Sequence, residues 1–120
     1  MKVKIKNPAP LNQQTFNDNG NRWFISRLIE KAKDLPEQEM PITGLNLYEL
    51  SPKIKSIKSF VGHIKKVLDA DLSFPIILDD EGYVMDGRHR VAKALLEGKE
   101  TIKFVRFEET PTPDFVEEKE

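Results

Sequence analysis

The sequence predicts an α+β fold in which a small mixed sheet packs against helices. Segments rich in β-branched and aromatic residues alternate with segments whose apolar residues recur at helical spacing. In the C-terminal half these segments follow the order strand, turn, strand, helix and strand. A chain of 120 residues, of which 38% are hydrophobic, suits one compact core.

Residues 1–40 are predicted to form an N-terminal arm and a helix. The opening stretch MKVKIKNPAP alternates basic and apolar residues before two prolines, which suits a short edge strand or a loose basic arm. The stretch NDNGN at 17–21 is typical of a turn. A helix is predicted over 22–34, with Trp23 at its start as a core or docking residue. Its apolar positions are Ile25, Leu28, Ile29 and Ala32.

The middle of the chain predicts an extended segment followed by a long helix. Residues 41–50 alternate apolar and polar side chains, as in a strand or an extended lead-in. Ser51 and Pro52 suit a helix start, with serine as the N-cap and proline at the first helical position. One apolar stripe follows at steps of three and four residues, formed by Ile54, Ile57, Val61, Ile64 and Leu68. Gly62 leaves open whether this stretch is one helix or two.

The final third has the clearest pattern. Its predicted strands and turn are a buried strand at 73–78, a tight turn at 79–82, a returning strand at 83–85 and a last strand at 101–107. A helix is predicted from Arg88 to Glu97, and Gly98 is placed to end it. Residues 109–120 are acidic and interrupted by prolines, which predicts an extended tail.

Composition narrows the function classes. A net charge of −1 argues against a general polyanion binder, although basic residues gather in the first third and acidic residues in the last. The chain has no cysteine, which excludes disulfides, thiolate nucleophiles and zinc–cysteine clusters and fits a cytoplasmic location. No apolar run approaches the roughly 20 residues that span a bilayer, so we expect no membrane association.

The stretch YVMDGRHRVAKALL carries the candidate site. Arg88, His89 and Arg90 lie where a strand passes into a helix, at the positive end of the helix dipole. Asp86 is predicted to cap the helix, and Gly87 permits a sharp turn and the close approach of a ligand. Free amides, the dipole and three cations together describe an anion site, for which phosphate is the usual occupant. The equally weighted alternative is that Asp86 only caps the helix and the cations are solvated.

The two histidines do not predict a metal site. His63 is interpreted as a structural histidine of the long helix, and His89 has no second histidine near it. Mg²⁺ is still compatible with the chain, because it needs only one or two carboxylates besides phosphate oxygens. Asp86 is the candidate magnesium ligand, since it borders the phosphate site.

The stretch FPIILDDEGYVMDGRHRVAKALLEGKETIKFVRF resembles the core of the ParB/sulfiredoxin superfamily, also called ParB-like nuclease domains. Members share a strand, a turn, a strand ending in a Gly-x-x-Arg loop, a helix and a closing strand. The resemblance extends over residues 41–108, and the chain as a whole is similar to small stand-alone ParB-like proteins. It implies a ParB/sulfiredoxin-like fold with a loop that binds nucleotide phosphates.

The loop matches different branches of that superfamily at different positions. Gly87 and Arg90 resemble the CTP-binding box of partition proteins, although Arg88 replaces the glutamate associated with hydrolysis. Gly87, His89 and Arg90 resemble the sulfiredoxin loop, but Arg88 also replaces the reacting cysteine, which excludes sulfinic acid reduction. Asp86, Gly87 and Arg90 are similar to the loop of free serine kinases, which implies ATP and a phosphotransferase.

The first functional hypothesis is a nucleotide- or phosphate-binding ParB-like protein that acts as a small ATPase or phosphotransferase. Its ligands would be ATP or CTP, with Mg²⁺. The phosphate-binding residues would be Gly87, Arg88, His89 and Arg90. Asp86 and His89 would be the catalytic residues.

The alternative hypothesis is a non-enzymatic module related to partition proteins that binds DNA or a partner. Its basic surface would combine the lysine-rich helix with Lys2, Lys4, Lys6, Arg22 and Arg27. A third hypothesis is a scaffold that has kept the fold and lost the ligand.

Overall fold

The computed structural model describes residues 2–5, 10–48 and 54–117. Within these residues, three α-helices accompany one sheet of four strands and one sheet of three strands, so the predicted α+β class is confirmed. The helices are α1 (Ile25–Ala32), α2 (Ile57–Asp69) and α3 (Arg88–Leu96). Each helix of the described chain falls short of the length and apolar character needed to cross a bilayer.

The strands of the described residues are short. They are β1 (Thr15–Asp18), β2 (Asn21–Phe24), β3 (Gln38–Pro41), β4 (Ile76–Leu78), β5 (Val84–Asp86), β6 (Thr101–Arg106) and β7 (Phe115–Val116). The four-stranded sheet runs in the order β3, β6, β4, β5, and the three-stranded sheet in the order β1, β2, β7.

The four-stranded sheet places the start of α3 at a fixed position. β4 pairs antiparallel with β5 and parallel with β6, while β3 pairs antiparallel with β6. Parallel neighbours need a crossover connection, which β5 and α3 provide between β4 and β6. The junction between β5 and α3 therefore lies at the edge of this sheet.

Two hydrophobic clusters lie on opposite faces of β4, because successive side chains of a strand point to opposite sides. Ile77 belongs to the cluster that contains Trp23 and the buried residues of α1. Ile76 and Leu78 belong to the other cluster, with Ala94 and its buried neighbour on α3. All three residues of β4 are buried, so α3 rests on a well-packed strand.

The N-terminal hairpin corrects the sequence prediction. A helix is predicted from residue 22, but the chain forms β2 there and α1 begins only at Ile25. The predicted turn is confirmed, since Asn19 and Gly20 both have positive φ and link β1 to β2 as in a type I′ hairpin. Pairing with β1 therefore holds residues 22–24 in a strand, and the apolar residues at helical spacing form α1 after it.

The middle of the chain also differs from the prediction. Residues 42–48, within the predicted strand or extended lead-in over 41–50, form no strand: β3 lies before them, and Ile42–Gly44 form a short 3₁₀ turn. Residues 49–50 lie outside the described residues. α2 begins after Ser56, whose hydroxyl accepts from the Ser59 amide while the Ser59 hydroxyl accepts from the Ser56 amide. The helix start predicted at Ser51 and Pro52 lies outside the described residues.

α2 is one continuous helix of 13 residues, so Gly62 does not divide it. A Cβ added at Gly62 would lie 3.8 Å from Cγ2 of Ile5, which places the N-terminal arm against this face of the helix. The arm itself, predicted as an edge strand or a loose segment, forms no strand over residues 2–5.

The order of elements predicted for the final third is confirmed. β4 begins three residues later than the predicted strand start at 73, because residues 72–74 form a turn and a bend. Gly98 follows the end of α3 with φ of +71°, the left-handed backbone that suits glycine after a helix.

The segment predicted as an extended acidic tail is tied to the N-terminal hairpin, where β7 pairs antiparallel with β2. Nε1 of Trp23 donates to the carbonyl oxygen of Pro111 at 2.8 Å. Asp114 accepts from Nε of Arg27 and from the backbone amide of Phe24, each at 2.9 Å. The Asp114 side chain is only 8% exposed, so these buried contacts attach the C-terminal segment to β2 and α1.

We expect Asp114→Asn to lower the free energy of unfolding by about 1–3 kcal/mol, because it removes a buried charge that accepts two hydrogen bonds. Urea unfolding followed by fluorescence measures the change. Glu109→Gln is the matched control, since Glu109 is an exposed acid of the same segment. Equal shifts of the unfolding midpoint in the two variants would contradict the role given to Asp114.

Candidate functional site

The candidate site begins where β5 passes into α3. Gly87 has φ of +110°, and an added Cβ would lie 2.6 Å from Cγ2 of Ile76 and 2.8 Å from Nη2 of Arg90. Both the backbone and the space therefore require glycine. Among the described residues no side chain caps α3, so the cap predicted for Asp86 is wrong. The first amides of the helix lack intrahelical acceptors, as at any helix start.

Asp86 forms an ion pair with Arg90 instead. Nη2 of Arg90 lies 2.9 Å from Oδ2 of Asp86, and both side chains are largely buried. Nε of Arg90 is also buried and has no hydrogen-bond partner within the described residues. The carboxylate offsets the positive charge that the helix dipole disfavours at this end. The ion pair therefore holds Arg90 against β5.

Arg88 takes a different direction from Arg90. Its guanidinium carbon lies 5.4 Å from the ring centroid of Phe16, a cation–π contact with β1. Burial lowers the pKa of Arg88 below its ordinary value. An arginine stays protonated at neutral pH even so. Arg88 therefore brings a partly desolvated positive charge to the start of α3.

His89 contacts His63, although the sequence predicts a structural role for His63 and no second histidine near His89. Nδ1 of His63 lies 2.9 Å from Nε2 of His89, and the two rings are stacked with centroids 5.2 Å apart. The two residues are 26 positions apart in the sequence, so local spacing does not predict that they are in contact. The statement that His89 has no second histidine near it is wrong, because α2 packs against α3 at this point.

Burial leaves His89 mainly neutral at pH 7. Burial lowers the pKa of His89 below its ordinary value of 6.5, and the nearby charges of Lys66 and His63 lower it further. Asp86 acts in the opposite direction, and Arg88 adds to the lowering. At neutral pH His89 therefore serves as a hydrogen-bonding group and not as a third cation.

The start of α3 borders a cleft of about 510 Å³ that is also lined by residues of α2 and by the stretch 14–16. All five predicted site residues, Asp86 to Arg90, border it. The cleft is also lined by side chains that are not among the predicted site residues. They are the basic residues Lys65 and Lys66 and the acidic residues Asp69 and Asp71.

A separate lysine fixes the wall of the cleft formed by α2. Nζ of Lys93 on α3 donates to the carbonyl oxygens of Leu68 and Ala70, at 2.9 and 2.6 Å. These carbonyl groups belong to the C-terminal end of α2, where a cation is electrostatically favoured. Lys93 and the histidine pair thus hold α2 across the front of α3.

The described residues contain no group of three or more His, Cys, Asp or Glu side chains placed to hold a metal ion. Asp86 is the carboxylate predicted to bind Mg²⁺, and its Oδ2 accepts a hydrogen bond from Arg90. A magnesium ion that uses this residue must share it with the arginine or displace it.

Comparison of the chain with protein-family models, curated proteins and solved structures finds no match. The resemblance to the ParB/sulfiredoxin superfamily therefore stays a prediction.

We expect Gly87→Ala to destabilise the protein more than Gly98→Ala. Both glycines have positive φ, which costs about 1 kcal/mol for alanine, but only Gly87 adds steric overlap with Ile76. A Cβ at Gly98 would meet nothing within 4 Å. Urea unfolding of both variants measures the difference, and an equal or smaller loss at Gly87 would refute the steric argument.

We expect the stability of the protein to fall with pH below about 6.5 because of His89. Its folded-state pKa is lowered, so the unfolded chain binds more protons in this range and unfolding becomes easier as pH drops. Unfolding curves recorded between about pH 8 and about pH 5 should show a steeper loss for the parent chain than for His89→Gln. Parallel losses in the two chains would rule out this contribution.

Proposed function

We propose that this protein binds a nucleotide or another phosphate compound in the cleft at the start of α3, as a ParB-like protein would. The observation that supports it best is the placement of Lys65 and Lys66 of α2 in the same cleft as the open helix start and Arg88. Cations from two helices and free amides then face one space. A cleft of about 510 Å³ is within the usual range for small-molecule sites.

The anion would be held by backbone and side chains together. The amides at the start of α3 supply donors that do not depend on side-chain type. Arg88 and the two lysines supply charge, with Arg88 pre-positioned by its contact with Phe16. Arg90 also borders the cleft and contributes positive charge, while Asp86 pairs with Nη2 of its guanidinium.

His89 is the candidate acid or base of an ATPase or phosphotransferase. Its Nε2 faces His63, so Nδ1 is the nitrogen left for a ligand. The neutral ring favoured by burial can accept a proton from an attacking hydroxyl or water. His63 then acts as a positioning residue that orients the ring of His89 and shares its proton.

Asp86 is the candidate second catalytic residue and the candidate ligand for Mg²⁺. A magnesium ion usually takes one or two protein carboxylates and completes its shell with phosphate oxygens and water. Bound there, it would neutralise phosphate charge. Asp69 and Asp71 border the same cleft and add carboxylate oxygens at its other side.

The alternative of a DNA-binding or partner-binding module has less support from the contacts of the N-terminal basic residues. Arg22 bonds to Asn17 at 2.9 Å and lies over the ring of Phe115. Arg27 is paired with Asp114. Two of the cations assigned to that surface are therefore occupied within the fold, which reduces the charge available to a nucleic acid backbone.

We expect ATP or CTP to bind with a dissociation constant tighter than about 1 mM, since charge-assisted bonds to phosphate are strong. Calorimetric titration with ATP, CTP and GTP, with and without Mg²⁺, measures this. Lys66→Ala should weaken binding at least about fivefold, because it removes one of the cleft cations.

Lys99→Ala is the matched control, since Lys99 is an exposed lysine beyond the end of α3. It should leave the affinity unchanged. Absence of binding by all three nucleotides, or equal affinities of the two lysine variants, would overturn the proposed site.

A further inference from the structure

A second cavity, also of about 510 Å³, shares the ion pair of Asp86 and Arg90 with the cleft. Its other lining residues differ from those of the cleft, and most of them are apolar. We call this cavity the apolar pocket. The ion pair therefore forms part of the wall of two cavities with different chemistry.

The apolar pocket combines buried core residues with exposed apolar ones. Its buried lining residues belong to the cluster that contains Trp23, and they are Ala32, Ile77 and Val105. Its exposed apolar residues are Leu11, Ile29 and Phe74, which are 49%, 40% and 60% exposed. These three come from separate segments, namely the 3₁₀ turn Leu11–Gln13, α1 and the bend before β4. Exposed apolar side chains gathered in this way around one cavity are typical of a binding site, whereas single scattered ones are not.

The turn before β4 holds the backbone of Phe74 in place. Oδ1 of Asp71 accepts from the amide and the hydroxyl of Ser73, at 2.9 and 2.7 Å. The amide of Phe74 donates to the carbonyl oxygen of Asp71 at 3.3 Å. Pro75 follows and restricts the backbone of Phe74 further. The pocket is therefore largely formed before a ligand enters, which lowers the entropic cost of binding.

The charges that line the apolar pocket cancel. Within the described residues they are two cations and two anions: Lys33, Arg90, Glu37 and Asp86. Arg90 and Asp86 pair with each other. The other two pair with residues outside the lining, Lys33 with Glu30 at 2.6 Å and Glu37 with Lys103 at 3.7 Å. The pocket therefore offers no surplus charge to an ionic ligand.

The cleft differs in this respect. Its lining contains four Lys or Arg side chains against three Asp side chains, in addition to the free amides at the start of α3. An anion is therefore expected to prefer the cleft, and an uncharged compound the apolar pocket.

We propose that the apolar pocket binds an uncharged, mainly apolar small molecule, which the ion pair of Asp86 and Arg90 orients by hydrogen bonding. A cavity of about 510 Å³ with apolar walls and few polar groups is typical of a small-molecule site. An uncharged ligand leaves the ion pair intact. A charged ligand must compete with that pair or leave its own charge unpaired beside apolar walls. The inference does not rest on nucleotide binding in the cleft.

Fluorescence titration of the full chain with N-phenyl-1-naphthylamine tests the pocket, because this probe is uncharged and apolar and brightens in apolar surroundings. It should bind saturably with a dissociation constant tighter than about 100 μM. Phe74→Ala should weaken binding at least about fivefold, since an aromatic side chain supplies a large contact area.

Phe60→Ala is the matched control. Phe60 is a phenylalanine of α2 that is 52% exposed and does not line the pocket. The affinity of the probe should be unchanged in this variant. Circular dichroism establishes that both variants are folded.

Displacement of the bound probe tests the charge of the ligand. 1-Adamantanemethanol, 1-adamantanecarboxylate and 1-adamantanemethylammonium have nearly the same shape and carry no charge, a negative charge and a positive charge. The alcohol should displace the probe at a concentration at least about fivefold lower than either ion, because the charges of the lining are already paired.

Three results would overturn the inference. The first is a dissociation constant of the probe weaker than about 100 μM, or an equal loss of affinity in the two phenylalanine variants. The second is displacement by either ion as effective as displacement by the alcohol. The third is displacement of the probe by inorganic phosphate, which would assign the probe to the cleft.

Discussion

At the end of β5 the chain changes from strand to helix within one residue, which is feasible because Gly87 places no side chain against Ile76. Ile76 is fully buried in the central strand, so it cannot move aside without disturbing the core. The conformation of this turn at Gly87 sets the direction of α3. The ion pair of Arg90 with Asp86 and the contact of His89 with His63 both depend on that direction.

The molecule uses hydrophobic burial and polar contacts in different places. α3 is anchored by buried apolar residues over β4, whereas α2 is attached by the histidine pair and by Lys93. A buried apolar anchor tolerates little movement, but hydrogen bonds between partly exposed groups exchange readily with water. The side of the cleft formed by α2 is therefore the more adjustable side, and the start of α3 is the rigid one.

The parts of the fold that sequence patterns predict are those whose decisive contacts are local. The strand, turn, strand and helix of the C-terminal half follow from neighbouring residues, and Gly98 ends α3 as expected. β2 is not predicted, because it is stabilised by pairing with β1 and β7, and the spacing of apolar residues does not show which strands pair. At the site, the cations of the loop were found from their position. The partner of Asp86 and the neighbour of His89 were not, since both depend on side-chain directions across packed elements.

The pairing of β7 with β2 has a consequence for how the chain acquires its structure. Ribosomes deliver β1 and β2 first, whereas β7, the strand that completes their sheet, is made much later. The indole of Trp23 therefore lacks its hydrogen-bond acceptor until Pro111, 88 residues later, has been made. Since it is the one tryptophan of the sequence and packs in one cluster with Ile77 and Val105, its fluorescence reports both the completion of the three-stranded sheet and its packing on the four-stranded sheet.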